Sequence, residues 1–208
     1  CFAATDSYRG RELWCEVKDL VTLAFRLHYI DVTAGEESSN PQYLTSSGGD
    51  MPLFFSATDP TNGRELWITD GTPAGTSMVM DINPGIANSN PSYITWYQGK
   101  VYFQAADGVI GNELWVSDGT NGGTVLIKDI RIGSGSSNPS FFSIFRSPLD
   151  LQDYLMFTAS DGFAMAGDEL MEGIGGAQFW RTDGTAVGTY RAYHRTYNDL
   201  YIDRASLN

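Results

Sequence analysis

Basic residues are scarce in this chain. Its 208 residues carry 13 Lys+Arg against 25 Asp+Glu, a formal net charge of −12 at pH 7. So acidic a surface repels polyanions, which excludes nucleic acid and anionic membrane as partners. Long apolar runs are missing too. No stretch reaches the ~18 residues that mark a spanning helix, and the most apolar one, Leu20–Ile30, carries Arg26 and His28, so no membrane span is expected. Histidine is limited to His28 and His194. With no Gly-x-Ser-x-Gly elbow and no His-Glu-x-x-His pair, a nucleophilic triad or a zinc site lacks its parts, and no enzyme is expected. An Asn-x-Ser/Thr acceptor is absent, which excludes N-linked sugar and leaves O-linked sugar open. A starting Met and a basic, apolar leader are also missing, so the chain reads as processed or partial. Nowhere does a 3.6-residue apolar period last long enough for a helix.

What is present is turn chemistry and repetition. At 42% hydrophobic the chain can bury a core, roughly 70% of its unfolded surface at this length, and 23 glycines with 18% charged residues fit a turn-rich β protein. Phe-x-Ala-x-Asp occurs four times: Phe2 to Asp6, Phe55 to Asp59, Phe103 to Asp107 and Phe157 to Asp161. Gly-x-Glu-Leu-Trp follows at Gly10–Trp14, Gly63–Trp67 and Gly111–Trp115; the fourth copy runs Gly167–Met171 and then, past an insertion, Gln178-Phe179-Trp180. Next come Asp-Gly-Thr and Gly-Thr, at Asp70 with Gly75, Asp118 with Gly123, and Asp183 with Gly188. Asn-Pro and an aromatic or apolar pair close the unit, as in Asn40-Pro41-Gln42-Tyr43-Leu44, Asn90-Pro91-Ser92-Tyr93-Ile94 and Asn138-Pro139-Ser140-Phe141-Phe142.

Spacing between Trp67 and Trp115 sets a unit of 48 residues, with insertions elsewhere. Each unit holds four alternating runs, in the third Tyr93–Gln98, Val101–Ala106, Glu113–Ser117 and Thr124–Ile130. Asp-Gly supplies a tight turn, and Pro without an N–H belongs just before a strand. Four-stranded antiparallel units at this period predict an all-β propeller of four blades. Expected blades are 1–31 with 200–206, 41–82, 90–130 and 138–195. Asn198–Asp203 aligns with Asn90–Thr95, so the N- and C-terminal strands should share the first blade and close the ring. In the rival arrangement that strand pairs with a neighbouring molecule or opens a further blade.

Glu-Leu-Trp-x-x-Asp-Gly-Thr followed by Gly-Thr resembles the ELWxxDGT repeat family, most closely in the second and third units. The resemblance implies a secreted or surface-exposed repeat array, usually without assigned catalysis.

Candidate residues divide between architecture and ligand binding. Trp14, Trp67, Trp115 and Trp180 are expected to wedge between blades, with sugar stacking as the alternative. Asp-x-x-x-Gly-x-Glu pairs Asp6 with Glu12, Asp59 with Glu65 and Asp107 with Glu113, which could ligate Ca²⁺. Otherwise each Asp, including Asp161, caps loop N–H groups while Glu meets an Arg such as Arg11 or Arg64. Asp70, Asp118 and Asp183 read as turn residues. Cys1 and Cys15 fall opposite each other across the first hairpin, fit for a disulfide in an oxidising compartment, or remain two free thiols. No cofactor is expected beyond that possible Ca²⁺. The leading expectation is a non-catalytic extracellular structural or adhesive module, a repeating subunit of a surface fibre, with self-association or surface proteins and glycans as partners. A glycan- or calcium-binding propeller is the alternative. A hydrolase built on the insertion of the fourth unit is the third.

Overall fold

The computed structural model describes residues 1–6, 8, 10–19, 23–33, 37–49, 52–148, 151–162 and 176–192. Among these the chain is all-β, in four antiparallel sheets that follow one another in sequence. The first contains β1 (Phe2–Asp6), β2 (Gly10–Lys18) and β3 (Phe25–Ile30). The second contains β4 (Gln42–Ser46), β5 (Leu53–Asp59), β6 (Gly63–Thr69) and β7 (Thr76–Met80). The third is β8 (Ser92–Tyr97), β9 (Lys100–Ala105), β10 (Glu113–Ser117) and β11 (Val125–Lys128), and the fourth is β12 (Ser140–Arg146), β13 (Asp153–Ala159), β14 (Gln178–Thr182) and β15 (Tyr190–Arg191). Strands pair in sequence order within every sheet. Among the described residues no helix is long and apolar enough to cross a membrane.

Local chemistry explains these boundaries. The Pro of Asn40-Pro41, Asn90-Pro91 and Asn138-Pro139 immediately precedes a strand, where its missing N–H costs no ladder bond. Asn40, Asn90 and Asn138 before it take left-handed backbone, at φ 46, 51 and 49°, a region Asn tolerates better than most residues. One extra residue then enters β4, β8 and β12, where the register against the second strand shifts. That bulge recurs at one motif position in three sheets, so it belongs to the design of the unit.

Core residues lie between consecutive sheets. Leu13 and Ile30 of the first meet Phe55 and Ala57 of the second, with Trp67 against them. Phe54 and Leu66 of the second meet Phe103 and Trp115 of the third. Leu114 and Val116 of the third meet Phe157 and Trp180 of the fourth. The Phe–Trp cross-strand pairs of the second, third and fourth sheets, such as Phe55 opposite Trp67, therefore face the preceding sheet. Truncating one of these buried Phe side chains to Ala costs about 3–5 kcal/mol.

Strands of the four sheets fall within 2–30, 42–80, 92–128 and 140–191, and the stretch 193–208, with the strand expected at 200–206, lies outside the described residues. So do 163–175 of the fourth-unit insertion. The third unit's strands start and stop within a few residues of the runs read from the sequence.

Candidate functional site

The Asp and Glu of each repeat part company in space. Asp59, at the end of β5, accepts the backbone N–H groups of Thr61 (2.7 Å) and Asn62 (2.8 Å) and the Asn62 amide (2.9 Å). Burial alone would raise its pKa, but the Asn62 and Thr61 donors outweigh that and hold it below the usual carboxylate value. Asp107 likewise accepts from Val109 and Ile110, both at 2.9 Å, and Asp6 from Tyr8 at 2.8 Å. The loop after Asp161 lies outside the described residues, and the guanidinium of Arg191 in β15 reaches this carboxylate in a largely buried ion pair.

Glu12, Glu65 and Glu113 turn inward and are completely buried. The expectation that they meet an Arg is wrong. Glu65 accepts N–H groups from Ile82 (3.1 Å) and Ser89 (3.0 Å) and the Ser89 hydroxyl (2.5 Å). Glu113 does the same with Ile130 (2.7 Å) and Ser137 (2.9 and 2.7 Å), and Glu12 with Val32 (3.3 Å) and Ser39. The sequence reading passed over these serines, yet a Ser precedes each of the three Asn-Pro pairs that open a strand, which was the available signal.

Each Ser occupies the segment that crosses to the next sheet. Ser89 N–H also reaches the Arg64 carbonyl behind it, and its carbonyl accepts from Ala106 in front; Ser39 and Ser137 accept in turn from Thr58 and Ser160. A carboxylate, a serine and a crossing segment thus form a joint, repeated three times. Its oxygens face donors, which suits an anion or a neutral acid and repels a cation. Desolvation dominates, pushing Glu65 up to about 7 and raising Glu12 and Glu113 from the ordinary Glu value. Among the described residues no group of three or more His, Cys, Asp or Glu could hold a metal ion.

The remaining recurrent residues make turns and wedges. Asp70 Oδ1 accepts the Thr72 N–H (2.9 Å) and hydroxyl (2.7 Å), and Asp118 and Asp183 repeat both bonds with Thr120 and Thr185. The hydroxyl bonds from Thr72 and Thr120 are the larger cause of the lowered pKa values of Asp70 and Asp118. Gly75 is required there, since a Cβ would stand 2.1 Å from the Asp70 carboxylate. Trp115 and Trp180 are buried, whereas Trp14 and Trp67 are half-buried. The Trp67 and Trp115 indole N–H groups are buried with no acceptor, so these rings act through apolar bulk. Cys1 and Cys15 form a disulfide across the first hairpin, with Cα atoms 4.0 Å apart. His28 lies on β3 opposite Cys15, and His194 is outside the described residues.

One recurrent group points outward. Tyr43, Tyr93 and Phe141 sit in the bulges of β4, β8 and β12 at φ 54, 55 and 53°, and all three are exposed. Their sheets bring them together: ring centroids are 6.0 Å apart for Tyr43–Tyr93 and 6.1 Å for Tyr93–Phe141. Thr45 ties β4 to its neighbour through a bond to the Ile94 carbonyl (2.8 Å). Comparison with family models, curated proteins and solved structures finds no match for this chain.

Proposed function

We propose that the chain is a non-catalytic extracellular module, structural or adhesive, whose four sheets are the blades of a propeller and which serves as a repeating subunit of a surface fibre. The observation that carries this reading is the joint. Among the described residues, the Glu, Ser, Asp, Gly and Trp that recur are engaged in holding sheets together or making turns, a structural use of the repeated motif. The resemblance to ELWxxDGT repeats and the Cys1–Cys15 disulfide both favour an oxidising, extracellular setting. Few charged residues on regular blades leave faces that stack, so self-association follows, and a net charge of −12 keeps the free subunit soluble.

Ring closure has its own support. Phe2 is 50% exposed, while Phe55, Phe103 and Phe157 at the same motif position are at most 1% exposed. At the other end Phe179 is 49% exposed where Leu66 and Leu114 are fully buried. The first and fourth sheets thus each present half of a joint surface, and these halves are complementary by the logic of the repeat. Closure through 200–206 against 1–6 covers both and removes open strand edges.

Negative-stain microscopy of concentrated protein tests the fibre: polymers of uniform repeat are expected, and a monomer at every concentration refutes it. Hydrogen exchange of the monomer tests closure, which predicts slow amides in residues 1–6. Calcium titration of the thermal midpoint tests the calcium alternative, because a ligand specific to the folded state raises it.

A further inference from the structure

Tyr43, Tyr93 and Phe141 carry a backbone cost that the architecture does not require. A bulge with its first residue in left-handed conformation selects Gly, and a bulky side chain held there costs on the order of 1–3 kcal/mol. This chain accepts that cost three times at one motif position. The ring–ring contacts at 6.0 and 6.1 Å return only about 0.5–1.5 kcal/mol each. The rings remain 44, 40 and 70% exposed, so burial does not make up the difference.

Hydrogen-bonding groups around the row are also left open. Among the described residues neither the Tyr43 nor the Tyr93 hydroxyl has a hydrogen-bond partner. Arg64 lies beside Tyr43 and spends three of its five N–H groups, two on the Ser56 carbonyl and hydroxyl (3.3 and 3.1 Å) and one on the Asn40 carbonyl (3.0 Å). Its Nε–H and one Nη2–H have no partner among the described residues. An aromatic surface edged by free O–H and N–H groups needs a ligand with apolar faces and a polar rim.

We infer that Tyr43, Tyr93 and Phe141, with Arg64 at their edge, form a stacking platform for a neutral glycan chain. A pyranose ring presents C–H groups on its faces and hydroxyls around its rim. Its faces lie on the rings, and its hydroxyls meet the phenols and the free N–H groups of Arg64. Three consecutive rings suit successive sugars of a linear chain better than a single sugar. The net charge of −12 disfavours an acidic polysaccharide, so the glycan is uncharged. This surface adds an adhesive face to the module proposed above. It rests on different residues, so failure of fibre formation leaves it standing.

Native affinity electrophoresis through gels containing hydroxyethyl cellulose, galactomannan or laminarin tests the platform, with a proline-rich peptide measured alongside because such peptides also dock on aromatic rows. Variants are Tyr93→Gly and the combined Tyr43→Gly, Tyr93→Gly, Phe141→Gly, each followed by thermal unfolding. At least one polysaccharide is expected to slow the parent protein twofold or more. The glycine variants should migrate freely while their melting midpoints hold or rise, because Gly relaxes the left-handed bulge. Free migration of the parent protein in all three gels overturns the inference, as does retardation that survives the triple variant. Binding of the peptide in place of the polysaccharides reassigns the surface and also overturns it. A fall in the midpoint of the glycine variants makes the rings packing elements and overturns the strain argument.

Discussion

Glu65 and Ser89 are locked together by two hydrogen bonds, one from the serine N–H at 3.0 Å and one from its hydroxyl at 2.5 Å, although 24 residues separate them. Glu65 belongs to β6 of the second sheet, and Ser89 lies on the path into the third. Removing the carboxylate strands the buried N–H of Ile82 and leaves the Ser89 N–H with only the Arg64 carbonyl. Glu65→Ala is therefore expected to cost about 2 kcal/mol, since an orphaned buried donor costs about 1–3 kcal/mol. Glu65→Gln keeps the shape and part of the accepting capacity, and should cost roughly half as much. Urea unfolding of both variants measures this, and an Ala variant within about 0.5 kcal/mol of the parent would show the joint to be idle.

The same carboxyls set the pH response. Glu65 sits at about 7 in the folded state against 4.5 when free, and Glu12 and Glu113 are raised in the same direction. A raised carboxyl pKa favours the folded state when protonated, so this contribution is complete below 4.5 and is lost as pH climbs through about 7. The joint accommodates the proton. The Ser89 hydroxyl lies 3.3 Å from the Arg64 carbonyl and can turn to it while accepting from the protonated glutamate. Asp59, Asp70 and Asp118 work oppositely, being lowered from 3.8, and their contribution disappears only in stronger acid. The thermal midpoint should therefore rise from about pH 8 to about pH 5 and drop below about pH 3. Glu65→Gln should flatten the neutral limb; a parent protein most stable near pH 8 contradicts the assignment.

Cys1 and Cys15 close a short loop, with a sequence separation of 14. Loop-closure entropy for that length predicts about 3 kcal/mol of stabilisation. Reduction should lower the midpoint of the parent protein and leave Cys15→Ser unchanged. An equal response in both would place the effect elsewhere.

Gly75→Ala drives a methyl group into the Asp70 carboxylate and should cost about 2 kcal/mol by displacing it from Thr72. Combining it with Asp70→Ala removes the clash, so the double variant should lose less than the two single losses added together. Strict additivity would mean that the two residues do not meet.

How much of this could be read from the residues depends on where each signal lives. Strand order and limits follow from alternation bounded by Asn-Pro and Asp-Gly, and these signals are local. The Asp59 cap is local as well. Glu65 is different. Its position in Gly-Arg-Glu-Leu-Trp suggests a neighbour one or six residues away, whereas its partners arrive from the crossing segment, whose path depends on how two sheets pack. The left-handed backbone of Tyr43, Tyr93 and Phe141 was hidden for the opposite reason. Tyr and Phe argue for ordinary extended strand, and only pairing against β5, β9 and β13 exposes the additional residue.

The joint also bears on how a chain of this type lengthens. Each of the first three units carries a glutamate for the seam ahead of it and hands the chain on through a serine 24 to 27 residues later. A gene segment of one period therefore encodes both halves of a seam. Duplicating it inserts a sheet whose two borders already match, with no compensating change elsewhere, and deleting it rejoins borders of the same kind. Variation in sheet number among descendants of such a gene becomes an easy evolutionary step, whereas substitution at a single Glu or Ser breaks a seam in every background.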